Sequence, residues 1–149
     1  LDHHGLLFAL DLKQAQPVAA KRRQPLLLDF TGVNCVNCRR MEKKMDEPAN
    51  KERIAKYVAV QLYADKVPTI TNDEQAAGIL QNNLDLQVNW FGDVALPSYA
   101  VVSPDGQSIL AAYSGYERSE GEFTRFLDYA WNQWEAFERG AGTTPTTRR

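Results

Sequence analysis

The chain has 149 residues, enough for one domain with a sizeable core and too few for two domains of ordinary size. At 44% hydrophobic it is too apolar to stay unfolded, and its two cysteines cannot staple a disulfide-rich scaffold. Seventeen Lys+Arg against nineteen Asp+Glu give a net charge of −2, which lacks the basic footprint that nucleic-acid binding needs.

No apolar run approaches the roughly 20 residues of a membrane span, and no basic start followed by an apolar stretch marks a signal peptide. The chain begins at Leu1 rather than Met, so it reads as processed or cut from a longer protein, with any targeting signal upstream. His3 and His4 read as an expression remnant or a solvated terminus rather than as metal ligands. Residues 6–12 suit a short strand or lead-in. Residues 13–23 pattern as an amphipathic helix with basic residues in its last turn, provided Pro17 lies in the first turn. Leu26, Leu27, Leu28, Asp29 and Phe30 then form an apolar run that suits a strand covered on both faces, interrupted by one carboxylate.

Gly32 to Asn34 read as a turn, and Cys35 to about Glu47 as a helix with Cys38, Met41 and Met45 on one face. Pro48 stops that helix or opens the next at its first turn. Residues 49–57 are helical and 58–64 β-rich. A helix over EQAAGILQNNL is followed by a less regular stretch ending at Trp90-Phe91-Gly92. Leu96-Pro97 leads into a strand through Val102, and Pro104-Asp105-Gly106 turns it into a second strand over 108–113. The last helix is expected from about Ser119 to Glu138, opened by a Ser119/Glu122 capping box, with its aromatic stripe packed in the core. Gly140 to Arg149 read as a flexible tail. Strands alternating with helices imply a parallel portion, and the hairpin adds an antiparallel one. The expected architecture is an α/β domain with a central mixed sheet flanked by helices on both faces.

Cys35-Val36-Asn37-Cys38 stands where a buried strand hands over to a helix. There the first cysteine meets unpaired N–H groups and the positive end of the helix dipole, which favour its thiolate. Cys38 follows about one turn on, within disulfide reach. Cys35 is therefore the expected nucleophile and Cys38 the resolving thiol. Zinc needs about four ligands and this motif supplies two. A purely structural bridge would close too small a loop to constrain the unfolded chain much. Two incidental cysteines remain the third alternative. Asp29, six residues before Cys35, would have a raised pKa if buried beneath the site and could exchange a proton with Cys38. Glu42, four residues after Cys38, either faces the same interior or belongs to a solvated face with Arg39, Arg40, Lys43 and Lys44. Pro97 follows an apolar residue at a strand entrance. A cis Leu96–Pro97 bond there would present Leu96 backbone groups to an extended peptide.

The stretches LLLDFTGVNCVNCRRMEKKM and LPSYAVVSPDG resemble the active-site and cis-proline segments of the thioredoxin superfamily. DFTGVNCVNCRRME followed by VAVQLYAD is most similar to the C-terminal thioredoxin-like domain of DsbD-type thiol:disulfide interchange proteins. The resemblance covers roughly residues 9–138. It implies a thioredoxin-like domain over 9–139 with an N-terminal extension over 1–8, an insertion near 66–95 and a tail over 140–149. It implies a periplasmic disulfide reductase, part of an inner-membrane protein, with no cofactor beyond the Cys35–Cys38 pair and no metal. Its partners would be a membrane-embedded dithiol donor and thioredoxin-fold envelope proteins. This segment itself would not enter the membrane, and a monomer is expected. Cys35 and Cys38 match the redox pair, Asp29 and Glu42 two acids that tune it, and Pro97 the cis-proline. Asn34, Val36, Asn37, Leu96 and Pro97 would touch the partner. Asn34 departs from the Trp that many thioredoxins carry there. The Val36-Asn37 dipeptide does not fix the direction of electron flow, so an oxidase or isomerase stays open. So does a non-catalytic peptide-binding module.

Overall fold

The computed structural model describes residues 2–3 and 5–140. The expectations about the side chains of His3 and His4, and about the tail beyond Gly140, lie outside those residues. Asp2–His3 (β1) and Leu6–Leu7 (β2) pair antiparallel. Ala9 then bridges in parallel to Val60, donating to the Ala59 carbonyl at 3.0 Å and accepting from Gln61 at 2.8 Å. The lead-in thus runs along an edge of the main sheet, which otherwise would present unpaired backbone groups.

Helix α1 spans Leu12–Arg22. The Asp11 side chain accepts from Lys13 N–H at its start, and Arg23, in the left-handed region, closes it beyond Lys21 and Arg22. Pro17 lies inside this helix rather than in its first turn. The proline removes one backbone bond, but fully buried Ala15 and Ala19 hold the helix against the sheet. Strand β3 (Leu26–Thr31) is buried at every position, as its apolar run requires. Helices α2 (Val36–Met45) and α3 (Pro48–Ile54) follow, with Pro48 in the first turn of α3. Strand β4 (Val58–Tyr63) pairs parallel with β3, Leu26 opposite Val58 and Thr31 opposite Tyr63.

Helix α4 spans Asp73–Phe91 without a break, so the stretch expected to be irregular is helical through Phe91. Its second half holds Asn82, Asn83, Asp85 and Asn89, which are weak helix formers on their own. Tertiary bonds hold it: Asn83 Nδ2 donates to the Tyr63 carbonyl at 3.0 Å and Gln87 Nε2 to the Ala95 carbonyl at 2.8 Å. Strands β5 (Ser98–Val102) and β6 (Ile109–Ser114) form the expected hairpin, with β5 antiparallel to β3.

Helix α5 spans Glu122–Glu138 and begins after Gly121, not at Ser119. The capping box does not form. Ser119 Oγ meets the Glu122 carboxylate at 3.2 Å, while Phe123 N–H is taken by the buried Glu117 carboxylate at 2.9 Å.

The four-stranded sheet has the order β4-β3-β5-β6 and is mixed. One face carries a core of Leu27, Tyr99 and Val101 with Met41, Met45 and Ile54 of α2 and α3, and the aromatic stripe of α5. The other packs Leu26, Leu28, Phe30 and Val60 against Ala15 and Ala19 of α1 and Phe91 of α4. Helices thus cover both faces, which is the expected thioredoxin-like architecture.

Candidate active site

Cys35 and Cys38 form a disulfide with their Cα atoms 5.2 Å apart. The sequence builds it by ending β3 at Thr31 and starting α2 at Val36, so that Cys35 is the N-cap residue with extended backbone. The two cysteines are unequal. Cys35 is partly exposed, whereas Cys38 is 2% exposed, one turn deeper and on the Met41–Met45 face. Cys38 N–H reaches Cys35 Sγ at 3.1 Å, so the helix terminus aims a donor at the outer sulfur. When the disulfide opens, that donor and the helix dipole favour the anion at Cys35. Around it Asn34 and Asn37 are exposed and Val36 is 72% exposed, an apolar side chain left in water beside the partly exposed cysteine.

On the strand that leads to the pair, and on its two neighbours, a polar row crosses an apolar sheet. Gln61, Asp29 and Tyr99 stand directly across from one another on β4, β3 and β5. Asp29 is 2% exposed, and Gln61 Nε2 donates to its Oδ2 at 3.3 Å. Oδ1 of Asp29 and the Tyr99 hydroxyl have no hydrogen-bond partner among the described residues. Burial raises the Asp29 carboxyl from 3.8 to about 7, against the lowering effect of Gln61 and with a further rise from Glu42. Burial likewise pushes the Tyr63 hydroxyl up to about 12, and this hydroxyl donates to Gln61 Oε1 at 3.3 Å.

Glu42 resolves between its two expected readings in an intermediate way. Its side chain is only 12% exposed, yet Oε1 lies 3.0 Å from Arg39 Nη2 as an ion pair without hydrogen-bond alignment. The charge reaches Asp29 electrostatically from α2 above. Arg39, grouped by sequence with a solvated face, does more than pair with Glu42. Its Nη2 donates to the Gly32 carbonyl at 2.9 Å and lies 3.2 Å from Thr31 Oγ1, tying α2 to the end of β3.

The Leu96–Pro97 bond is cis. The segment before it is anchored by Gln87 Nε2 and Ser98 Oγ, which both donate to the Ala95 carbonyl. Leu96 comes against the cysteine loop, since a Cβ added at Gly32 would lie 3.1 Å from Leu96 Cδ1. The structure therefore brings Asn34, Cys35 and the Leu96–Pro97 segment to one end of the sheet.

Two residues escaped the sequence reading. Asp65 accepts hydrogen bonds from the N–H groups of Val33 and Asn34, and Gln87 holds the proline segment. For Asp65 the only signal was its place just past the end of a β-rich run, parallel to the run that ends at the cysteine loop. For Gln87 there was none. Among the described residues no group of three His, Cys, Asp or Glu side chains is placed to hold a metal ion, and no helix is long and apolar enough to cross a membrane.

Among solved structures, the chain is similar to the DsbH oxidoreductase, with a TM-score of 0.65 at 18% identity over 85% of each chain. It is also similar to a thioredoxin from Thermus thermophilus, with a TM-score of 0.64 at 15% identity, covering 91% of this chain and 95% of that one. The oxidised C-terminal domain of Neisseria meningitidis DsbD matches with a TM-score of 0.51 at 19% identity, covering 85% of this chain and 99% of that one. At such identities the likeness is one of fold. No curated protein matches significantly. The model of a thioredoxin-like domain matches residues 12–131, from the start of α1 into α5. That span holds both cysteines, the buried carboxylate and the cis-proline strand, so the chain belongs to the thioredoxin-like domain family.

Proposed function

We propose that this domain is a thiol:disulfide oxidoreductase that works as a disulfide reductase in an electron relay of the DsbD type. One observation carries the reading: a disulfide at a helix N-terminus with one cysteine partly exposed and the other buried. In the reduced domain the Cys35 thiolate attacks a sulfur of the partner's disulfide, forming a mixed disulfide and releasing one partner thiolate. Cys38 then gives up its proton and attacks Cys35 Sγ. The Cys35–Cys38 bond forms, the second partner thiolate leaves, and two electrons have passed to the partner. Asp29, half-protonated near neutral pH, is the acceptor for the Cys38 proton. Exposed Val36, with Asn34, Asn37, Leu96 and Pro97, forms the docking surface for an extended segment of the partner.

The resemblance of DFTGVNCVNCRRME and VAVQLYAD to DsbD-type domains favours a periplasmic setting. In it a membrane-embedded dithiol re-reduces the domain, and thioredoxin-fold envelope proteins accept its electrons. The domain acts as a monomer, with the cysteine pair as its only redox group and no bound metal.

The test is a trap. Cys38→Ala leaves Cys35 without its resolving thiol, so a mixed disulfide accumulates and shows as a dithiothreitol-sensitive band on a non-reducing gel. Cys35→Ser gives no such band. Equal trapping by both variants, or none with any envelope protein, overturns the relay.

A further inference from the structure

The loop that delivers Cys35 is held from outside by a carboxylate 30 residues further along the chain. Asp65 lies just past β4, and its Oδ1 accepts from Val33 N–H at 2.9 Å while Oδ2 accepts from Asn34 N–H at 3.0 Å. Oδ1 also accepts from Lys66 N–H at 2.6 Å, which fixes the carboxylate on its own backbone. Gly32 completes the fit. A Cβ built there would lie 2.9 Å from Asp65 Oδ2 and 3.1 Å from its Cγ, so the carboxylate fills the place of a side chain. The Gly32 carbonyl in turn accepts from Cys35 N–H at 3.3 Å and from Arg39 at 2.9 Å. The three residues ahead of Cys35 thus have little freedom. Burial pushes the Asp65 carboxyl up, but the N–H groups of Asn34, Val33 and Lys66 outweigh it and hold it below the usual range, ionised at neutral pH.

We propose that Asp65 is a positioning residue for the Cys35–Cys38 couple: by clamping residues 32–34 in the geometry of the disulfide form, it weights the redox equilibrium toward the disulfide. This rests on the oxidoreductase reading but on no particular partner. An internal disulfide competes with external thiols through the fraction of time its two sulfurs are held facing each other, which is preorganisation. The dithiol form needs no fixed distance, so freeing the loop favours it. In the exchange, two glutathione thiols supply two electrons and two protons. The Cys35–Cys38 bond opens to two thiols and one glutathione disulfide forms.

The experiment equilibrates the purified 149-residue chain with glutathione buffers and reads the dithiol fraction. Far-UV circular dichroism and the thermal midpoint serve as controls for folding. Asp65→Ala shifts the equilibrium about tenfold toward dithiol, equivalent to about 30 mV. Asp65→Asn shifts it less, because the amide keeps one of the two acceptor oxygens. Gly32→Ala leaves the carboxylate in the protein but displaces it from the loop, so it shifts the equilibrium in the same direction as Asp65→Ala. The double variant shifts no further than Asp65→Ala alone. If Asp65→Ala does not fold, Gly32→Ala carries the test. Equilibria within twofold of wild type in both folded single variants overturn the clamp, and so do shifts that add in the double variant. A wild-type disulfide that never equilibrates with glutathione overturns the oxidoreductase reading itself, and the clamp with it.

Discussion

Asp29 holds a carboxyl that titrates near neutrality inside a strand buried along its whole length, and the sign of its effect on stability follows. Burial raises its folded pKa from 3.8 to about 7. Between those values the native protein keeps a proton that the unfolded chain releases, so stability falls as pH rises across the window and stays lower above it. At about 1.4 kcal/mol per unit, the effect is on the order of a few kcal/mol. Asp29→Asn has no such carboxyl. In urea titrations of the oxidised domain it should match wild type near pH 3, below both values, and exceed it by about 2–4 kcal/mol at pH 8. The same variant should slow disulfide exchange at neutral pH, because Cys38 loses its proton acceptor. An unchanged rate from pH 5 to 9 would refute that role. Asp29 was legible in the sequence because a lone carboxylate in an apolar run is conspicuous. Asp65 was not, because its two bonds to the loop arise only from the parallel register that sets Thr31 beside Tyr63.

At the scale of elements, the start of α5 shows a helix end whose cap is not where local sequence puts it. Ser119 and Glu122 have the spacing of a capping box, but Gly121 enters the helix with positive φ and no side-chain bond. Glu122 is drawn off by the Tyr113 hydroxyl, which donates to it at 2.7 Å. The free N–H of Phe123 goes to Glu117, 7% exposed, whose other oxygen lies 3.5 Å from Lys44 Nζ on α2. One carboxylate therefore caps α5 and ties it to α2, the helix that carries Cys38. Glu117→Ala should cost about 2 kcal/mol, combining a lost cap with a lost charge-assisted bond, read as a lower urea midpoint. Glu117→Gln, which keeps an acceptor for Phe123, should cost less. A midpoint unchanged in both would show that Phe123 N–H finds another partner. The pattern recurs at α4, where Asn83 and Gln87 carry a stretch of weak helix formers by bonding to Tyr63 and Ala95. Periodicity and breakers located both helices. Their extents depended on side-chain partners outside the helices, six to twenty residues away.

Across the whole molecule, one sheet separates two apolar layers, and the cysteine pair follows the end of its strand β3. Strands β3 and β5 contribute alternate residues to each side, Leu27 and Val101 to one layer, Leu26, Leu28 and Ala100 to the other. Neither layer can loosen without releasing the strands that form the other, so the domain should unfold in one step despite its two cores. Phe123 and Phe30 test this. Phe123, fully buried, meets Tyr99, Tyr113 and Phe126 edge-on or tilted with ring centroids 5.0–5.7 Å apart. Phe30, also fully buried, meets Phe91 edge-on at 5.7 Å on the opposite face. Each change to Ala should cost about 3–5 kcal/mol through lost burial and the cavity left behind. A domain of this size has a total of about 5–15 kcal/mol, so each loss is a large fraction of it and reads clearly in a urea titration. The double variant, with sites on opposite faces and no shared ring partner, should lose the sum of the two, about 6–10 kcal/mol. Near-UV and far-UV circular dichroism should give one coincident transition in each single variant. Separate transitions, with the layer around Phe91 surviving the loss of Phe123, would show that the two faces fold as independent units. The disulfide would then rest on only one of them.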